Sequence, residues 1–130
     1  MQTHIAPWLS VRRGREAVEF YTQAFGATEL HRVESPDGHV VCQLSVDGAV
    51  FWVSDEAPDH ASFSPESLGG GTVRMILTVA DPDAAFARAV AAGAVEISAV
   101  ENAYGWRVGR VADPFGHHWE IGRPLEEERR

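Results

Sequence analysis

The chain of 130 residues holds a single cysteine, Cys42. One thiol excludes an internal disulfide and any metal site built from several cysteines of one chain. Cys42 lies in the apolar stretch V-V-C-Q-L, where a buried, inert thiol is expected rather than a nucleophile. No apolar run is long enough to span a bilayer. The N-terminus carries no leader pattern, so a cytoplasmic protein is expected. Positive charge is scarce: 11 Lys and Arg stand against 19 Asp and Glu, a formal net charge of −8. Nucleic acid and anionic membrane select basic surfaces and are therefore disfavoured as partners. The negative balance serves solubility. G-x-S-x-G, P-loop and dinucleotide-binding fingerprints are also absent.

What is present is globular. Hydrophobic residues make up 45% and charged residues 23% of the chain, a balance that supports a packed core rather than disorder. The length suits one domain, or two half-domains sharing a core. The chain repeats itself at an offset of 67 to 68 residues. Val11 to Ala27 answers to Val79 to Ala94, and the Asp47-Gly48 turn answers to the Gly116 of D-P-F-G. Two copies of one supersecondary unit predict halves that superpose about a pseudo-two-fold axis. A site at their junction should draw on equivalent strands of both.

Local patterns predict β-α-β-β-β in each copy. In the first, a strand over 5–11 begins irregularly or at an edge because of Pro7. A helix over 16–25 presents Val18, Tyr21 and Phe25 on one face and stops at Gly26. Strands follow over 29–34, 40–46 and 49–53, joined by Ser35-Pro36-Asp37-Gly38 and by the tight Asp47-Gly48 hairpin. In the second copy a strand over 73–79 precedes a helix over 82–92, capped by Asp81, started by Pro82 and closed by Gly93. Strands over 96–99, 107–111 and 118–122 complete it. The organisation expected is a first module over 1–53, a linker over 54–71, a second module over 72–124 and a frayed tail over 125–130. The linker is rich in Pro, Ser and acidic residues and ends in Gly69-Gly70-Gly71. Its length suggests a mobile lid, with the glycines as hinge, or a crossover.

Alternation along strands places equivalent residues of the two copies on one kind of face. The first strands align Ala6 with Arg74, and the fourth strands align Trp52 with Glu120. Each helix covers one face of its sheet and leaves the other for a ligand.

The segments S-V-R-R-G-R-E-A-V-E-F-Y-T-Q-A-F-G-A (10–27) and V-A-D-P-F-G-H-H-W-E-I-G (111–122) resemble those of the vicinal oxygen chelate superfamily. That superfamily contains glyoxalase I, bleomycin-resistance proteins, fosfomycin-resistance enzymes and extradiol dioxygenases. The D-P-F-G-H form resembles its PhnB-like branch. The resemblance spans nearly the whole chain. It implies an α+β fold of two β-α-β-β-β modules forming an incomplete barrel, and a homodimer. It also implies that the positions of Ala6, Trp52, Arg74 and Glu120 are those that hold a divalent metal in the superfamily's metalloenzymes. Here only Glu120 could ligate. Ala6 has no donor atom, indole does not coordinate, and Arg74 sets a permanent positive charge where the cation would sit. No metal and no other cofactor are therefore expected, and Arg74 is expected to pair with Glu120.

The candidate ligand-binding residues are Trp8, Trp52, Arg74, His118 and Glu120. Trp8 shares the parity of Ala6, so two indoles form either a stacking surface for a planar ligand or a core that fills the vacated metal site. His118 shares the parity of Glu120, whereas His117 points the other way and belongs to the turn. Arg107 and Arg110 are expected to be solvated, with one able to reach the cavity mouth. Tyr104-Gly105-Trp106 suggests a pocket rim or a partner contact. The function that follows is metal-independent binding of a small molecule, an antibiotic or an aromatic metabolite. The alternative is a lyase or isomerase of glyoxalase type, using a divalent metal or Glu120 and His118 as acid and base. A vestigial pocket on an oligomeric scaffold is a third reading.

Overall fold

The computed structural model describes residues 1–126. The tail predicted over 125–130 lies largely outside the described residues. Two four-stranded sheets form, each of mixed direction, and neither closes into a barrel. The first contains β1 (Trp8–Val11), β2 (Thr28–Glu34), β3 (Val40–Val46) and β4 (Ala49–Asp55) in the order β1-β4-β3-β2. The second contains β5 (Arg74–Thr78), β6 (Val95–Ala103), β7 (Trp106–Ala112) and β8 (His118–Pro124) in the order β5-β8-β7-β6. β1 runs parallel to β4 and β5 parallel to β8; the other pairs are antiparallel. The fold is α+β.

The registers repeat the sequence offset. Trp8 faces Trp52 as Ile76 faces Glu120, and Leu9 faces Val53 as Leu77 faces Ile121. Gln43 faces Trp52 as Arg110 faces Glu120. The two halves thus share one topology and one pairing.

Both helices form where the apolar spacing places them. α1 (Gly14–Phe25) buries Ala17, Val18, Phe20, Tyr21, Ala24 and Phe25, and it ends at Gly26 with φ 73°. Only glycine adopts that left-handed conformation without cost. α1 starts two residues earlier than predicted because its cap comes from elsewhere. Arg13, at the N-cap, offers no side-chain acceptor. Asp55, at the end of β4, accepts from the Gly14 N–H at 3.0 Å and from the Val40 N–H at 2.8 Å. A Cβ at Gly14 would collide with that carboxylate. α3 (Pro82–Ala92) is capped locally, Asp81 accepting from the Ala84 N–H at 3.2 Å.

α1 packs on the first sheet, α3 on the second, and the helices pack on each other. Arg88 of α3 donates to the Gln23 carbonyl of α1 at 2.8 Å. The core is shared. Trp119 of β8 lies 4.5 Å from Phe25 and 5.5 Å from Tyr21, ring centre to ring centre, and meets Phe51 edge to face. Cys42 is fully buried in this core, as expected, and burial raises its thiol pKa.

Other elements also differ from the prediction. β1 begins at Trp8, so Ile5 and Ala6 lie before it; Pro7 has no N–H to give the ladder. β6 runs to Ala103, four residues beyond the predicted end, despite Glu101 and Asn102. Its hairpin with β7 turns on Tyr104 and Gly105, with φ of 56° and 81°. Two consecutive left-handed residues are what a tight hairpin requires, so Tyr104-Gly105 serves the turn and Trp106 opens β7. The linker carries a 3-10 turn (Pro58–His60) and a one-turn helix, α2 (Pro65–Leu68). Ser64 is fully buried and caps α2, Glu56 accepts from the Ser64 N–H at 2.7 Å and the Ser67 hydroxyl at 2.8 Å, and Ser62 meets Ser10 at 2.6 Å. These bonds make the segment a packed crossover rather than a free loop.

The halves are tied by Asp113, in the turn before β8. Its carboxylate accepts from the Tyr21 hydroxyl, the Trp119 indole N–H at 2.9 Å, and the backbone N–H groups of Phe115 and His117 at 3.0 and 2.9 Å. Burial, and then the charge of Asp113, raise the Tyr21 phenol well above its ordinary pKa. Folding thus favours the protonated phenol. This contribution is fully present below the unfolded pKa of about 10 and is lost as pH rises from there through the folded value. Tyr21→Phe is expected to cost about 1–2 kcal/mol at neutral pH and to flatten the fall in stability above about pH 10, both read from urea unfolding. Asp113→Ala should cost more, because it strands two buried side-chain donors.

Candidate ligand-binding faces

With helices on one side of each sheet, the opposite sides are open. On the first sheet this open face carries Trp8 and Ser10 of β1, Trp52 and Ser54 of β4, and Val41 and Gln43 of β3, as their register requires. Trp8 and Trp52 are direct neighbours across the parallel ladder. Their rings stack, 5.6 Å between centres at 13°. The Trp8 indole N–H donates to the Ser54 hydroxyl at 2.8 Å, which fixes its plane. Trp8 keeps 54% of its surface exposed. Trp8 therefore stands exposed on the open face, with the less exposed Trp52 stacked against it. A cleft of about 720 Å³ opens beside Trp8, between β2, β3 and the start of the linker, with Val33, Val41 and Ala57 among its walls and His39 and His60 also lining it. A second depression, of about 510 Å³ between α1 and β2, is lined by charged groups already engaged in the pairs Arg15–Glu34 and Arg32–Glu29.

On the second sheet the open face carries Arg74 and Ile76 of β5, His118 and Glu120 of β8, and Arg110 of β7. The Arg74 Nε lies 2.7 Å from Glu120 Oε2. The same oxygen accepts from Arg110 at 3.0 Å. Arg74 and Glu120 thus meet as their parity predicts. With Arg74 55% exposed, the pair belongs with surface ion pairs and not with buried ones. His118 is the cross-strand neighbour of Arg74, and its side chain makes no hydrogen bond among the described residues. His117 sits in the turn, its Nε2 2.9 Å from the Ser10 carbonyl. Arg107 goes elsewhere, in a two-pronged pair with Asp83 of α3 at 2.7 and 2.8 Å.

The structure brings Trp8 to Trp52, and Arg74 to Glu120 with His118 alongside. The two groups sit on separate sheets, and neither Trp52 nor any of the second-sheet residues lines the 720 Å³ cleft. Arg110 is the member that sequence reasoning undervalued. Its signal was the offset of 67 that aligns it with Gln43, directly opposite Trp52. The donor chemistry does not fit a divalent metal. Of the four positions the superfamily's metalloenzymes use, Glu120 is the sole potential ligand, and a guanidinium holds its oxygen. Among the described residues no group of three or more His, Cys, Asp or Glu could hold a metal ion.

Titration with nickel or zinc in a calorimeter is therefore expected to give no saturable one-to-one isotherm; a stoichiometric isotherm lost in Glu120→Ala would contradict this reading. Arg74→Met should change unfolding free energy by no more than about 1 kcal/mol, as its exposure dictates, measured by urea denaturation.

Comparison with known proteins agrees with this architecture. An uncharacterized protein of Mycobacterium bovis is 44% identical over 95% of this chain and 84% of its own length. The crystal structure of TioX from Micromonospora sp. ML1 superposes with a TM-score of 0.74 at 29% identity, covering 95% of this chain and all of that one. TnmS3, an antibiotic binding protein from Streptomyces sp. CB03234, superposes with a TM-score of 0.70 at 22% identity, over 95% and 97% of the two chains. Residues 2–121 match the family described as Glyoxalase/Bleomycin resistance protein/Dioxygenase superfamily. By that match across nearly its whole length, the chain belongs to the glyoxalase/bleomycin resistance protein/dioxygenase superfamily.

Proposed function

We propose that this protein binds a planar or aromatic small molecule, an antibiotic or an aromatic metabolite, without metal or other cofactor. The observation that carries the reading is the stacked Trp8–Trp52 pair, with Trp8 half-exposed at the edge of a 720 Å³ cleft. Aromatic faces supply contact area at small conformational cost, and a pocket of that size suits a drug-sized ligand. Arg74, His118 and Glu120 are its polar anchors from the second module. TnmS3, with the same fold, is an antibiotic binding protein. The D-P-F-G-H turn supports placement in the PhnB-like branch. The single buried cysteine, and the absence among the described residues of a helix able to cross a membrane, are compatible with the cytoplasmic location we propose.

The working unit in this proposal is a homodimer. Trp8, Val33 and Ile76 stand on the open faces, and Ile76 is 68% exposed. Uncovered apolar surface of this kind marks an interface or a binding groove. Closing the aromatic face of one copy against the charged face of the other would assemble one cavity from both, which a single chain does not do.

The test is a tryptophan-fluorescence titration with aromatic antibiotics and metabolites, run on wild type, Trp8→Ala and Trp52→Ala. Ligands that quench wild type should bind each variant about tenfold or more weakly, the loss expected when an aromatic wall is removed. Unchanged affinity in both variants would move the pocket elsewhere. Sedimentation velocity in the same buffer should show a dimer.

A further inference from the structure

We propose that Arg74 and Arg110 form an oxyanion site, so that the ligand is an aromatic molecule bearing a carboxylate or phosphate-type group. The proposal rests on the binding function above and names the chemistry of its polar end.

The arginines of this chain are mostly matched to their own carboxylates. Arg107 holds Asp83, Arg12 meets Glu56, Arg13 meets Glu16 and Glu66, and Arg32 holds both Glu29 and Glu34. On the second open face the ratio reverses. Two guanidiniums share one oxygen, Glu120 Oε2, at 2.7 and 3.0 Å. The cluster carries a net charge of +1 in a chain whose formal net charge is −8. Each guanidinium has five N–H donors; Arg110 gives one of them to Glu120 as a hydrogen bond, and Arg74 meets the same oxygen as an ion pair. The remaining donors are accessible, since 55% of the Arg74 side chain and 32% of Arg110 are exposed. Glu120 thus acts as a brace: it fixes two forks from opposite neighbouring strands and leaves their other prongs free. Such forks match carboxylate and phosphate oxygens two at a time.

The neighbours on this face do not cancel the charge. Thr78 follows on β5, His118 lies beside Arg74, and Ser98 lies across from Arg110. Glu101 shares the face farther along, opposite Val108, and bonds neither arginine. The equivalent positions of the first module are Ala6, Gln43 and Trp52, all uncharged. One face is therefore flat and aromatic and its counterpart is cationic. A ligand engaging both needs a planar body and an anionic end.

The experiment is calorimetry at low ionic strength on the full chain with 1-naphthoate, 1-naphthyl phosphate, the neutral 1-naphthamide and, separately, inorganic phosphate. At least one naphthyl anion should bind about tenfold or more tightly than naphthamide, the scale of one charge-assisted pair; which of the two wins identifies the oxyanion. Arg110→Met and Arg74→Met should each remove that advantage, with circular dichroism spectra matching wild type to show that the variants fold. Arg110→Lys, which keeps the charge without the fork, should fall between wild type and Arg110→Met. Arg107→Met, which alters a surface cation paired elsewhere, should change nothing. Equal binding of naphthamide and both anions overturns the proposal, as does an equal loss in Arg107→Met. Dissociation of an oligomer by Arg110→Met also overturns it, because the arginines then serve a contact between copies. Should no naphthyl compound bind, the aromatic reading fails by itself. Inorganic phosphate then decides: saturable binding lost in Arg110→Met upholds the oxyanion site, and no binding rejects it.

Discussion

A buried carboxylate joins the two halves of this molecule. Asp113 sits in a turn of the second module, yet the hydroxyl it satisfies belongs to Tyr21, on the helix of the first. Around that bond the aromatic core assembles, with Trp119 donating to the same oxygen and packing on Phe25, Tyr21 and Phe51. A charge taken out of water must be met by several donors to be tolerated. Asp113 has four, two from side chains and two from its own turn. The bond thus ties the helix of the first module to the second module, while α1 and α3 pack on each other.

The open faces follow from that arrangement. Because α1 and α3 pack on each other beneath their sheets, the ligand-accessible sides of the two modules are left without a covering layer in the single chain. The duplication then supplies two frames with the same register and different chemistry. At corresponding rungs the first offers Trp8, Trp52 and Gln43, and the second offers Ile76, Glu120 and Arg110. On the second face a guanidinium from each neighbouring strand meets the Glu120 carboxylate.

The crossover contributes order rather than freedom. Glu56 gathers the Ser64 amide and the Ser67 hydroxyl, and these bonds hold its pKa below the usual carboxylate range. Pro65 also lies against Gly116, where a Cβ would come within 2.9 Å of it. The segment thus packs on the very turn that carries Asp113.

The sequence by itself determined the repeat, the β-α-β-β-β order and the parity of most of the face residues. These are local properties: the offset of 67 to 68, the apolar spacing of α1, the Asp81 cap, and strict alternation along β4 and β8. Parity alone put Trp8 with Trp52 and Arg74 with Glu120. Tertiary structure decided what depends on long-range partners. α1 starts at Gly14 because Asp55 reaches the Gly14 N–H from 41 residues away. β6 extends through polar residues because its hairpin with β7 pairs them. Arg110 joins Glu120, and Arg107 does not, because alternation turns them to opposite faces once β7 is fixed on β8. The separation of the aromatic pair from the arginine pair was invisible in the repeat. Periodicity says which face a side chain takes, but the packing of two helices decides where that face points.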